Sequence, residues 1–400
     1  MESVKVKNTV QREEKYGSKN YNPLPVVLVR GEGIYVWDED GNQYIDMMSA
    51  YSAVSHGHCH PQLVNALIKQ ANQLTVVSRA FYTDKLGFFL ESICKLSGFE
   101  KALPMNTGAE AVETALKAAR KWAYDIKKVE SNQAEIIACE GNFHGRTISI
   151  IGMSSEPSYK AGFGPFPSGF KTISYGDINA LENAITPNTA AFLVEPIQGE
   201  AGIIIPPEGY LKKCAEICKK QNVLMICDEI QTGLGRTGKL FAFQHENIQP
   251  DAIVLGKALG GGLLPVSLFL SRNEVMDVFV PGNHGSTFGG NPLAAAVGLS
   301  SIKVLLEEKL IDRAVEMGEY FMNELQKIKS PKIKEIRGRG LLIGIEINKP
   351  YNARELCIDL IKYGVLTKET HDTVIRLAPP LIITKDQINK VLNALHQVLR

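Results

Sequence analysis

The chain has 400 residues, 44% of them hydrophobic, enough for a large core shared between a major domain and a smaller one. Its 44 lysines and arginines offset 43 acids, leaving a formal charge of +1, so no basic excess points to nucleic acid. No apolar run is long enough to span a bilayer, and Met1 to Lys15, which includes Glu13 and Glu14, has neither the hydrophobic centre of a signal peptide nor the acid-poor character of a transit peptide. Seven scattered cysteines without a Cys-x-x-Cys pair suit a reducing compartment, and a cytoplasmic enzyme is expected.

In chain order, Tyr21-Asn-Pro-Leu-Pro25 and the alternating apolar residues around Gly31-Glu-Gly33 and Asp38-Glu-Asp-Gly41 predict a small antiparallel hairpin in a minor domain capping the site. His56-Gly-His58-Cys59-His60-Pro61 crowds three imidazoles into five positions with no carboxylate near in sequence. It reads as a polar turn entering a helix near Pro61, where proline suits the first helical position, and not as a metal centre. From Phe81 to Pro292 strands and helices alternate, as a doubly wound α/β sheet requires. Asn106-Thr107-Gly108-Ala109-Glu110 runs into Val112, Ala115, Leu116, Ala119 and Trp122 at helical spacing. Gly108 and Ala109 then stand at a helix N-terminus, where free N–H groups bind an anion.

Ile136 to Cys139 is a strand, and beyond it lies Phe143-His144-Gly145-Arg146, a place for a ring to stack on a flat cofactor. Arg146 offers a planar fork that matches a carboxylate bidentately. Cys214 and Cys218 share the apolar side of a helix with Leu211 and Ile217 and are read as buried fillers.

Three apolar runs end in ionisable groups: Ala191 to Val194 in Glu195, with Glu200 following, Val223 to Cys227 in Asp228, and Asp251 to Leu255 in Gly256-Lys257. In an open α/β sheet the site lies beyond such carboxyl ends. A lysine there can form an imine with a carbonyl cofactor such as pyridoxal phosphate (PLP), and Asp228 is the acid to keep its pyridine nitrogen protonated. Two unit charges about 3 Å apart attract by roughly 5 kcal/mol at an effective dielectric near 20, ample for that purpose.

Gly233-Leu-Gly235-Arg-Thr-Gly238 has the spacing of a dinucleotide fingerprint, but a true fingerprint opens directly into a long helix, and Lys239-Leu-Phe-Ala-Phe-Gln244 does not read as one. Gly256-Lys257 fails as a P-loop, because Ala258 replaces Ser or Thr. Beyond Gly285-Ser286-Thr287, helices are predicted over Pro292 to Leu306 and Leu310 to Ile328. The C-terminal portion, with Gly338 to Glu346 and Val374 to Pro380, reads as strands and helices of a smaller α+β domain. Arg376 lies in an apolar run, which is expensive unless an acid pairs with it.

Six blocks, Asn106 to Ala111, Gly141 to Thr147, Glu195 to Glu200, Asp228 to Gly238, Gly256-Lys257 and Gly285 to Pro292, stand in the order found in class III PLP-dependent aminotransferases, and the chain resembles that family over nearly its whole length. The resemblance implies the PLP-dependent transferase fold type I: a large α/β domain at 51–292 with a mainly parallel seven-stranded sheet flanked by helices, and a smaller α+β domain from 1–50 and 293–400. It implies that Lys257 is the catalytic amine and Asp228 its partner across the cofactor. Gly108, Ala109, Phe143, Gln231, Ser286 and Thr287 complete the cofactor site, with Phe143 as the stacked ring, Gln231 on the phenolic oxygen and Thr287 arriving from the neighbouring subunit of a homodimer. His144 departs from the animal members, which carry tryptophan.

Within the family the pattern is most similar to the branch that transfers the δ-amino group of ornithine to 2-oxoglutarate by a ping-pong route. There Tyr21, Tyr51 and Arg146 hold the α-carboxylate and α-amino end, while Glu200 closes Arg376 until the second substrate arrives. A class III enzyme acting on acetylornithine or 4-aminobutyrate stays open as an alternative, as do a PLP aminomutase and a non-catalytic PLP-fold protein. Neither metal nor nucleic acid nor membrane is expected as a partner.

Overall fold

Short apolar runs rich in branched residues build the centre of the molecule, a computed structural model that describes residues 4–400, with side chains from Thr9 onward. Residues 1–3 of the charged N-terminal stretch lie outside the described residues. Val4–Tyr16 forms a helix, an element that its mixed charges do not reveal, and the Thr9 hydroxyl donates to Glu39 at 3.0 Å. The predicted hairpin is a three-stranded meander, β1 (Leu28–Glu32), β2 (Tyr35–Asp38) and β3 (Gln43–Asp46).

Seven strands follow: β4 (Lys101–Met105), β5 (Glu135–Cys139), β6 (Phe170–Ile173), β7 (Thr189–Val194), β8 (Leu224–Asp228), β9 (Ala252–Leu255) and β10 (Ser267–Ser271). They form one sheet in the order β4-β10-β9-β8-β7-β5-β6. Only β10 runs against its neighbours, so the sheet is mainly parallel, as expected. Every residue of β7, β8, β9 and β10 is buried, because helices cover both faces, and so these strands read as continuous apolar runs. The Gly108–Asp125 helix lays its Ala111, Val112, Ala115, Ala119 and Trp122 face on this sheet, and the Trp122 indole N–H is satisfied by Glu274 at 2.8 Å. Strand order reverses between β5 and β7, which opens a crevice beyond the carboxyl ends of β5, β7, β8 and β9.

The last five strands are β11 (Ile333–Arg339), β12 (Leu342–Ile347), β13 (Val365–Leu366), β14 (Glu369–Thr370) and β15 (Val374–Leu377). β13 pairs in parallel with β3, so both ends of the chain share a sheet, while β11-β12-β15-β14 form a separate antiparallel one. Gly344 on β12 sits opposite Arg376 on β15. A Cβ there would lie 3.1 Å from the Gly202 carbonyl, so glycine lets this sheet close on the loop that carries Glu200. The Gly233–Gly238 stretch leads to a short 3-10 turn, Ala242–Glu246, and not to the long helix of a dinucleotide site.

Candidate active site

Parallel register puts the three strand ends side by side: Val194 pairs with Cys227 and Asp228 with Val254, so Glu195, Asp228 and Lys257 emerge together. Lys257 follows Gly256 at φ 44°, a left-handed conformation that turns its side chain out of the strand line. It lies within 4 Å of no acid among the described residues. Burial pulls its pKa down against the field of Glu200, which favours the reactive neutral amine.

An inner cavity of about 190 Å³ is lined by Gly108, Ala109, His144, Asp228, Gln231 and Lys257. It shares Phe143, Glu200 and Lys257 with an outer cavity of about 560 Å³ that also touches Tyr21, Tyr51, Arg146 and Tyr159. At the rim of the inner cavity a capping box starts the Gly108–Asp125 helix: Glu110 N–H donates to the Thr107 hydroxyl at 3.2 Å and Thr107 N–H to the Glu110 carboxylate at 2.7 Å. The N–H groups of Gly108 and Ala109 have no protein acceptor among the described residues and are free to bind an anion. Ser286 accepts from the Asn106 amide at 2.8 Å, and Thr287 is exposed beside it. Neither lines the cavities of its own chain.

Asp228 is held by His144 Nδ1 at 2.7 Å and by Ile230 N–H at 3.1 Å. Burial opposes protonation of His144, but the hydrogen bond and charge of Asp228 outweigh it and the imidazole pKa is raised. His144 is thus engaged by Asp228, a bond that nothing in the local sequence marks, and both its ring and that of Phe143 line the inner cavity. Two buried polar atoms here lack protein partners, His144 Nε2 and Gln231 Oε1. Glu195, which accepts from Phe143 N–H at 2.8 Å, is pushed up to about 7 by burial, partly countered by His144. Glu229, accepting from Phe243 N–H at 2.8 Å and from the Thr232 hydroxyl, is likewise raised to about 7 by burial.

Arg376 is 1% exposed, and Glu200 meets it in a bidentate pair, Nη1–Oε1 at 2.7 Å and Nη2–Oε2 at 2.9 Å. Burial alone would raise the Glu200 pKa. The Arg376 charge and hydrogen bonds win and lower it to about 2. Gln231 Nε2 adds a bond to Glu200 at 3.3 Å. The Tyr51 ring centroid is 5.2 Å from the Arg376 guanidinium. Tyr51 stands in a turn, Ser49 to Ser52, whose φ values are 41°, 47°, 59° and 74°. Each such left-handed residue costs roughly 1–2 kcal/mol, so the surrounding contacts must hold this turn in place.

Arg146 is exposed at the outer cavity and has no acid partner among the described residues. Its guanidinium lies 3.5 Å from the Tyr159 ring centroid and 5.3 Å from that of Phe143. Tyr159, on the short Pro157–Lys160 helix, is unmarked in sequence. Tyr21 is 76% exposed at the mouth. The crowded histidines each have a protein partner: His58 has Asp46 at 2.7 Å, His60 has Glu308 at 2.9 Å, and His56 has the Ser301 carbonyl at 3.0 Å. The helix beyond them begins at Pro61, as predicted.

A family model described as aminotransferase class-III matches residues 16–399. The chain is 58% identical over 396 residues to the ornithine aminotransferase of Bacillus subtilis, covering 99% of this chain and 98% of that one. Among solved structures it is similar to the ornithine aminotransferase of Toxoplasma gondii, reported with partial occupancy of PLP at its active site. The TM-score is 0.97 and the identity 45%, over 98% of this chain and 94% of that one. It is also similar to the acetylornithine aminotransferase of Elizabethkingia anophelis, with TM-score 0.90 and identity 49% over 98% of each chain.

The buried acids predict a pH signature. Glu229 has a folded pKa above its unfolded one, so its contribution to stability is fully present below about pH 4.5 and is lost as pH rises through about 7. The stability of Glu229→Gln relative to the parent should therefore increase from pH 5 to pH 8, by up to roughly 3 kcal/mol. Denaturant titrations at both pH values check this, and a constant difference would contradict it.

Proposed function

The chain belongs to the class III aminotransferases, and on that premise we propose that it moves the δ-amino group of ornithine to 2-oxoglutarate, giving glutamate 5-semialdehyde and glutamate in two alternating half-reactions. One observation carries the choice of amino group. Of the two arginines beside the outer cavity, Arg376 is closed by Glu200, whereas Arg146 has no acid partner among the described residues.

Its cofactor is PLP, and the inner cavity fits that group: free N–H groups for a phosphate, a buried acid for a pyridine nitrogen and an amine for an aldehyde. When bound, PLP supplies an aldehyde that captures amines and a ring that takes up the electron pair left by a departing proton. Gly108 and Ala109 would hold the phosphate, Phe143 would lie against the ring, and Gln231 would donate from Nε2 to the phenolic oxygen. Asp228, backed by His144, would keep the ring nitrogen protonated. Ser286 and Thr287 reach the phosphate of a second copy in a homodimer. Phe288 beside them, with Phe81 and Tyr82, are exposed apolar side chains suited to burial against that copy.

Ornithine's carboxylate pairs with Arg146, and Tyr21 and Tyr51 flank its α-amino end, so the distal amine is the one presented to Lys257. Lys257 Nζ, whose pKa burial lowers toward the neutral amine, would be the base that moves the proton of ornithine's δ-carbon. In the second half-reaction Arg376 leaves Glu200 and grips a carboxylate of 2-oxoglutarate. A second reading, acetylornithine as substrate, is supported by the Elizabethkingia relative. Tyr21 and Tyr51 at the cavity weigh against it. No described helix is long and apolar enough to cross a membrane, and seven free cysteines support a cytoplasmic location.

PLP-loaded protein mixed with ornithine and 2-oxoglutarate should yield pyrroline-5-carboxylate with stoichiometric glutamate. Turnover of acetylornithine or 4-aminobutyrate without ornithine turnover would overturn the substrate. Stacking pins Arg146, so Tyr159→Leu should raise the ornithine KM about fivefold with kcat nearly unchanged, and Tyr159→Phe, which keeps the ring, should stay within about twofold of the parent. Steady-state kinetics on the two variants decide the point, and a parent-like leucine variant would refute it.

A further inference from the structure

Arg236 has no part in the reading so far, yet it is fully buried and forms no ion pair among the described residues. Burial lowers its pKa to about 9, so it is still a cation at neutral pH. Its fork is spent on oxygens from three separate segments. Nη2 donates to the Ser49 and Ser55 hydroxyls at 3.3 and 2.8 Å, and Nη1 donates to the Leu341 and Pro379 carbonyls at 3.1 and 2.5 Å. Ser49 and Ser55 bracket the left-handed turn that carries Tyr51. Pro379 lies three residues beyond Arg376, just past the end of β15. Ser49 also donates to the Ala378 carbonyl at 2.6 Å, and Leu381 N–H to the Ser55 carbonyl at 2.8 Å.

A turn of four consecutive non-glycine residues at positive φ does not hold itself, and four acceptors from distant segments match a planar guanidinium better than an ammonium. We propose that Arg236 is a positioning residue for substrate: by tying the Ser49–Ser55 turn to the exit of β15, it sets Tyr51 against Arg376 and so fixes where ornithine is received. The inference rests on the contact between Tyr51 and ornithine proposed above.

The test uses the full-length, PLP-loaded enzyme with Ser49→Ala and Ser55→Ala combined, which removes both hydroxyl acceptors of Arg236 together with the Ser49–Ala378 and Ser55–Ser52 bonds. Beside it stands Arg236→Lys, which removes the fork and keeps those two bonds. A parent-like Arg236→Lys next to an impaired double variant assigns the effect to those bonds and overturns the role of Arg236. The ornithine KM should rise about tenfold, with the 2-oxoglutarate KM within about twofold of the parent and the absorbance of the bound cofactor unchanged. Tyr51→Phe, which alone should raise the ornithine KM, should add little in that background, because both changes remove the same interaction. A parent-like ornithine KM in the double variant, with Tyr51→Phe alone still harmful, overturns the positioning role and leaves the substrate reading intact. A parallel rise for both substrates marks general loosening and also overturns it. Tyr51→Phe with no effect on ornithine removes the assigned contact, and the inference falls with it.

Discussion

The buried pair between Glu200 and Arg376 is the constraint around which the outer cavity is arranged. Removing both charges from water is expensive, and only bidentate geometry with further hydrogen bonds repays it. The fold supplies both. β15 holds Arg376 inside an antiparallel sheet, Gly344 lets that sheet approach the loop carrying Glu200, and Gln231 adds a third donor to the carboxylate. Breaking the pair without a replacement would strand a buried cation, so in the proposed reaction Arg376 opens only to a ligand that brings its own carboxylate.

The inner cavity is organised by uneven treatment of its acids. Asp228 is anchored by His144, Glu200 is held ionised by Arg376, and Glu195, buried and receiving backbone N–H groups, is shifted toward the neutral form. Three carboxylates near one lysine therefore do not act as three equal charges. The arrangement leaves Lys257 desolvated but not neutralised by a partner, the condition that a nucleophilic amine needs.

What was legible in sequence was what local chemistry dictates. Apolar runs ending in Asp228 and Lys257 marked adjacent strand ends, since the continuous burial of parallel strands writes itself as unbroken hydrophobicity. Arg376 in such a run demanded an acid, and Glu200 is there. What was not legible depends on contacts between distant segments. His144 meets Asp228 from 84 positions away, His60 meets Glu308 from 248 away, and Arg236 gathers oxygens from Ser49 to Pro379. The left-handed turn under Tyr51 contains no glycine to betray it, and Tyr159 looks like any loop tyrosine until Arg146 is seen on its face.

The central claim, that Glu200 closes Arg376 and thereby directs ornithine to react at its distal amine, is tested most directly by the regiochemistry of Glu200→Ala. Transfer from the δ-position leads to pyrroline-5-carboxylate and transfer from the α-position to pyrroline-2-carboxylate, so their ratio reads the orientation of the bound substrate. With Arg376 unpaired the α-product should gain on the δ-product by about tenfold or more. An unchanged ratio, in a variant that still binds its cofactor, would contradict the account.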